Sequence, residues 1–74
     1  MNKIKVVLDT QGAMQEFVGL TTGISGPVYL EDGNGLRVNA KSLMGVLYGM
    51  SEFENLYVLS DNDSINTRFL KFLR

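Results

Sequence analysis

The chain has 74 residues, enough for one domain spanning 1–74 and too few for a second. It contains no cysteine and no histidine, which excludes disulfide frameworks, zinc fingers, Ser-His-Asp triads and Cys-His dyads, so no metal and no cofactor is expected. Seven basic and eight acidic residues, mixed along the chain, give a net charge of −1; no basic stripe is present to neutralise phosphates, and nucleic acid is not expected as a direct partner.

The hydrophobic fraction of 45 % is that of an ordinary globular domain. No long apolar run is present, so no membrane association is expected, and Met1 to Lys5 lacks the layout of a signal peptide. A cytoplasmic protein is the expectation.

In chain order, Lys3 to Leu8 alternates, with Ile4, Val6 and Leu8 on one side and lysines on the other, which predicts a half-buried strand. Ala13, Met14, Phe17, Val18, Leu20 and Ile24 form a helical stripe interrupted by Gly19, and Gly23, Gly26 and Pro27 end it. Pro27 to Glu31 and Leu36 to Ala40 are short strands. The Asp32-Gly33-Asn34-Gly35 segment between them is rich in residues that accept positive φ and predicts a hairpin.

Ser42 is a natural N-cap for a helix running to Met50, with Leu43, Val46, Leu47 and Met50 at helical spacing. Leu56 to Ser60 is a fourth strand, and Asp61 to Ser64 supplies turn and cap chemistry. Ile65, Phe69, Leu70 and Leu73 form the stripe of a last helix, with Arg68, Lys71 and Arg74 toward its negative end. The order β-α-β-β-α-β-α, with every helix needing a core-facing side, predicts a two-layer α+β sandwich with one face of the sheet covered.

The stretch Val38-Asn39-Ala40-Lys41-Ser42-Leu43-Met44-Gly45-Val46-Leu47 resembles the regulatory-serine region of HPr, the small phosphocarrier of the bacterial sugar phosphotransferase system. The preceding hairpin, Tyr29-Leu30-Glu31, turn, Val38, resembles the same family with about one residue inserted, and the element order agrees along the chain, although the last helix is shorter. The resemblance implies an HPr-like open-faced β-sandwich, a four-stranded antiparallel sheet with helices on one face. It fails at the family's chemistry. Where the family has a Gly-Leu-His-Ala-Arg-Pro-type segment whose histidine carries phosphate, this chain reads Asp9-Thr10-Gln11-Gly12-Ala13-Met14-Gln15.

Phosphoimidazole forms and transfers near neutral pH, whereas a phosphoserine or phosphothreonine ester is far more inert, so Thr10 cannot take over the relay. A non-enzymatic protein is the expectation. Asp9 has two readings, a cap for the following turn or helix and an acyl-phosphate acceptor in a still-working phosphoryl-transfer component. Ser42 also has two readings. It is a plain N-cap, or, as the resemblance implies, the target of a dedicated serine kinase, with its phosphate held at a helix N-terminus. Such a phosphate adds about −1.5 to −2 charges and gains only about 0.3–1 kcal/mol from the dipole, so it would change partners rather than refold the domain.

The resemblance further implies that Leu43, Met44 and Leu47 dock on partner proteins. The helix is apolar on too many sides for one buried stripe, because Tyr48 and Met50 add to these residues and to Val46. The alternative is a short helix packed on both sides. Burying three such side chains is worth roughly 4–9 kcal/mol gross, and association costs reduce this to transient, micromolar binding. Phe53 is either a core plug or part of that patch. Glu52 and Glu54 read as solvated charges, and Asp61 to Ser64 as a turn rather than a calcium loop.

The leading expectation is a regulatory, protein-binding relative of the phosphocarrier, switched by phosphate on Ser42. Its expected partners are a phosphotransferase-system enzyme, a serine kinase, or a transcriptional regulator in carbon catabolite repression. A module that keeps only the fold, in a structural or oligomeric role, is the third reading.

Overall fold

The computed structural model describes residues 1–73. The elements run β1 (Asn2–Val6), α1 (Gln11–Thr22), β2 (Val28–Glu31), β3 (Arg37–Asn39), α2 (Leu43–Glu52), β4 (Leu56–Ser60), α3 (Ile65–Arg68) and a 3₁₀ turn over Leu70–Phe72. The four strands form one antiparallel sheet in the order β1-β4-β2-β3. With the helices on one face, this is an open-faced α+β sandwich, as the element order predicts.

Strand pairing fixes what each face of the sheet carries. Val6 pairs with Leu56, Ile4 and Leu30 flank Val58, and Leu30 pairs with Val38. These rows face the helices and meet Met14, Phe17, Val46 and Phe53 in the core. One residue out of phase, Lys3 and Tyr29 flank Leu59, and Lys5 and Glu31 flank Tyr57; these point to the open face.

Side-chain hydrogen bonds set the helix starts and the hairpin. Thr10 Oγ1 accepts from the Ala13 amide at 3.0 Å, so Thr10 caps α1 and not its neighbour Asp9. Within the β2–β3 connection, Asp32 Oδ1 accepts from the Asn34 and Leu36 amides at 2.7 and 3.3 Å. Gly33 and Gly35 take φ of 92° and 100°, the left-handed region that glycine enters without a Cβ clash. Buried Thr21 donates its hydroxyl hydrogen between the Val18 and Ala40 carbonyls (2.7 and 3.0 Å), tying α1 to the end of β3 without an unsatisfied polar group.

The last element departs from the sequence reading. A single amphipathic helix would bury Ile65, Phe69, Leu70 and Leu73. Ile65 and Phe69 are fully buried, but Leu70 and Leu73 are exposed and Phe72 is buried instead. After Arg68 the backbone leaves the α-helical region at Phe69 (φ −108°, ψ 23°) and tightens into the 3₁₀ turn. Side chains three apart then align, which brings Phe72 beneath Phe69. Phe17, Phe69 and Phe72 pack with ring centroids 5.1–6.4 Å apart. The Phe72 carbonyl accepts from the Val7 amide at 2.8 Å, and Leu73 bridges Val6, so the chain end lies along the β1 edge. Arg74, assigned to the helix end by sequence, lies outside the described residues.

Among the described residues, no helix is long and apolar enough to cross a membrane.

Candidate functional site

The N-terminus of α2 is built from short-range contacts around Asn39 to Gly45. Ser42 adopts an extended backbone (φ −100°, ψ 124°), its Oγ accepts from the Gly45 amide at 3.2 Å, and its carbonyl accepts from the Val46 amide at 2.9 Å. Its own amide donates to the Asn39 carbonyl at 3.2 Å, while Asn39 Oδ1 accepts from the Lys41 amide at 2.9 Å. The helix start is thereby seated against the end of β3. Gly45 permits this approach, because a Cβ there would stand 2.7 Å from the Asn39 carbonyl oxygen. Ser42 is therefore the N-cap, and it is partly accessible. Lys41 lies beside it and donates its ammonium to the Ile24 carbonyl at 2.6 Å.

From this start the helix divides sharply. Val46 is fully buried, and Gly49 presses against Leu30 and Phe53. On the opposite side Leu43, Met44, Leu47 and Tyr48 are 47, 75, 45 and 51 % exposed. At 3.6 residues per turn these four residues and Ser51 share one side, centred opposite Val46 and Gly49. The helix is therefore not packed on both sides. Phe53, left open by the sequence, is buried and plugs the end of the core, with Tyr48 edge-on to its ring at 6.0 Å. Tyr48 thus extends the surface named by Leu43, Met44 and Leu47. Its position four residues after Met44 is the sequence signal for that, since residues so spaced are neighbours on a helix.

The charges around α2 are polarised. Lys41 precedes the helix, Glu52 closes it and Glu54 follows, with both carboxylates exposed. The helix carries no acidic residue in its first turn and no basic residue in its last. Both glutamates therefore stand at the end where the helix dipole is already negative.

Asp9 is exposed and makes no helix cap. It lines a cleft of about 360 Å³ that also contains Glu16, Lys71 and Phe72. The cation there is already engaged, since Lys71 is ion-paired with Glu16. Among the described residues none of the ion pairs includes Asp9. An acyl phosphate on Asp9 would therefore form in a cleft that holds a second carboxylate and whose ammonium is already paired. Ser42 and Asp9 lie in separate surroundings. A second cleft, of about 310 Å³, lies past the far end of α2, between Lys5 and Glu54 over Met50, Phe53 and Leu56. Among the described residues no group of three carboxylates is gathered to hold a metal ion.

The open face of the sheet holds a cluster that the sequence reading leaves out. Glu31 is only 5 % exposed, yet it is charged. Lys3 Nζ lies 3.2 Å from one carboxylate oxygen and Arg37 donates to the other at 3.1 Å. The same cations lie over tyrosine rings, Lys3 over Tyr57 at 4.8 Å and Arg37 over Tyr29 at 5.2 Å. Alternation in β2 places Glu31 on this face, but its burial depends on side chains from β1, β3 and β4.

The chain matches no protein-family model, no curated protein and no solved structure.

Proposed function

We propose that this chain is an HPr-like regulatory module that has lost the phosphocarrier histidine and acts by binding other proteins through the outer side of α2. The observation that carries this reading is the uncovered stripe of Leu43, Met44, Leu47 and Tyr48, which begins directly after the N-cap Ser42. Four large apolar side chains exposed together on a helix of ten residues mark an interaction surface more than a defect of packing. Because the chain has no histidine, the module does not relay phosphate by the phosphoimidazole route.

Ser42 is the switch in this reading. Ser42 is partly accessible, and a phosphate there would face the first-turn amides of α2. The added charge would sit at the rim of the apolar stripe and change which proteins dock on it. The fitting partners are a phosphotransferase-system enzyme, a serine kinase and a transcriptional regulator, all met in the cytoplasm. No catalytic residue, cofactor or metal is assigned to the protein in this role.

Isotope-labelled protein, with and without serine-kinase treatment, titrated with these candidates tests the proposal. The expected result is amide shift changes confined to residues 42–51, with a partner preference that depends on phosphorylation and is lost in Leu47→Glu. Incubation with phosphoenolpyruvate and the general phosphotransferase enzyme should leave the chain unlabelled; a base-labile phosphate on Asp9 would overturn the reading.

A further inference from the structure

The β2–β3 turn contains two pairs of an acid or amide followed by glycine, Asp32-Gly33 and Asn34-Gly35, and the fold treats them differently. Asp32 is held in place. Its Oδ1 accepts from two amides, and a Cβ on the glycine after it would stand 2.8 Å from the Tyr57 ring. Asn34 is exposed, and among the described residues its carboxamide makes no hydrogen bond, nor does the amide nitrogen of Gly35. Gly35 is exposed at φ 100°, and a Cβ built on it would meet nothing within 4 Å. With no Cβ of its own and no neighbour close by, its nitrogen is sterically open. Of the six asparagines in the sequence, Asn34 alone precedes a glycine. The carboxamides of Asn2, Asn39 and Asn62 are in addition held by hydrogen bonds.

We infer that Asn34-Gly35 is a site of spontaneous covalent modification, which converts the hairpin into an acidic and partly isomerised form without an enzyme. The Gly35 nitrogen attacks the side-chain carbonyl carbon of Asn34. The new C–N bond closes a succinimide ring, and the carboxamide nitrogen leaves as ammonia, taking the proton of the Gly35 amide. Water then adds to either ring carbonyl and breaks its bond to nitrogen. Opening at the side-chain carbonyl gives aspartate; opening at the main-chain carbonyl gives isoaspartate. Both products place a new carboxylate near Asp32. Isoaspartate also routes the main chain through its methylene, between the two amides that share Asp32 Oδ1, and strains both bonds. Arg37 follows the turn and pairs with Glu31 across it, so the loosening reaches the ion pairs of the open face.

The test is timed incubation of the full chain in neutral and mildly alkaline buffer, followed by peptide mapping with mass spectrometry. The expected result is conversion of the hairpin peptide to aspartyl and isoaspartyl forms, faster at the higher pH, with the other five asparagines unchanged. Because only the exposed turn has to move, the rate should lie within about tenfold of that of the chain unfolded in urea. Asn34→Gln, which would close a larger ring, should abolish the conversion, with circular dichroism verifying its fold. Slower conversion than that limit, or earlier conversion at another asparagine, would overturn the site. The isoaspartyl form, separated by ion exchange, should show a lowered urea midpoint and amide shifts at residues 31–37. A wild-type midpoint in that form would overturn the effect on the hairpin. Neither result bears on the α2 surface, which is read at residues 42–51.

Discussion

The open face of the sheet and the outer side of α2 are both solvent-facing surfaces holding large apolar side chains, and the chain treats them in opposite ways. On the sheet, Leu59 is 6 % exposed although no helix covers that face. It is flanked by Lys3 and Tyr29, and the Lys3–Glu31–Arg37 ion pairs run across the neighbouring strands. The stems of long charged side chains shelter apolar surface while their heads stay in water. Among the described residues no such roof covers α2, and Met44 is 75 % exposed. The same small domain thus covers a leucine on one open surface and leaves four apolar side chains exposed on another.

Substitutions can break or sharpen this contrast, and the scale is set by the core beneath both surfaces. Phe69→Ala removes a fully buried ring stacked against Phe17 and Phe72 and should cost about 3–5 kcal/mol. Against a total near 4–11 kcal/mol for a chain of this length, that is a large share of the stability, and urea denaturation should show a strongly lowered midpoint. Gly45→Ala places a Cβ against the Asn39 carbonyl and pushes the start of α2 off β3. Its expected cost is about 1–3 kcal/mol, with the largest amide shifts at residues 39–46.

Glu31→Gln leaves Lys3 and Arg37 without their shared anion and loosens the roof over Leu59. Both cations are more than a third exposed, so solvent screening limits the loss to about 1–2 kcal/mol. The deficit should shrink when the urea midpoint is measured again in molar salt. Ser42→Ala deletes the α2 cap and should lower stability by about 1 kcal/mol, while Ser42→Asp, which retains a cap, should restore most of it. Smallest of all, Leu47→Ser should change stability by no more than about 0.5 kcal/mol, because that side chain is 45 % exposed on the outer side of α2. A loss near that of Phe69→Ala would show that the stripe belongs to the core and would end the contrast.

Much of the architecture was legible in the residues. The alternating run around Ile4 and the short runs around Leu30 and Val58 marked the strands, and the span Leu56–Ser60 of β4 was read without change. The Asp32 to Gly35 turn and the Ser42 cap were read from local chemistry, and local chemistry is what forms them: both act over two to four residues. The α1 cap was missed by one position because Asp9 and Thr10 are both good caps, and only the backbone path decides which oxygen reaches the Ala13 amide. The chain end was misread more deeply. Leu70, Phe72 and Leu73 are all apolar, so helical period alone could not foresee that pairing of Phe72 with Val7 would tighten the last turn.

The same division holds for the candidate site. That α2 carries more apolar residues than one buried stripe can absorb follows from counting around a helix. Which of them stay bare follows from Gly45 and Gly49, which let the helix settle on one side only, against Asn39 and Leu30. Sequence by itself determined the strand and helix order, the hairpin, the cap on Ser42 and the lack of a histidine, since each depends on neighbours along the chain or on composition. Tertiary structure alone decided the burial of Glu31, the choice of Phe72 over Leu73 and the exposure of Leu43, Met44, Leu47 and Tyr48. Burial is a property of the space between elements, and residues distant in sequence set that space when the chain folds.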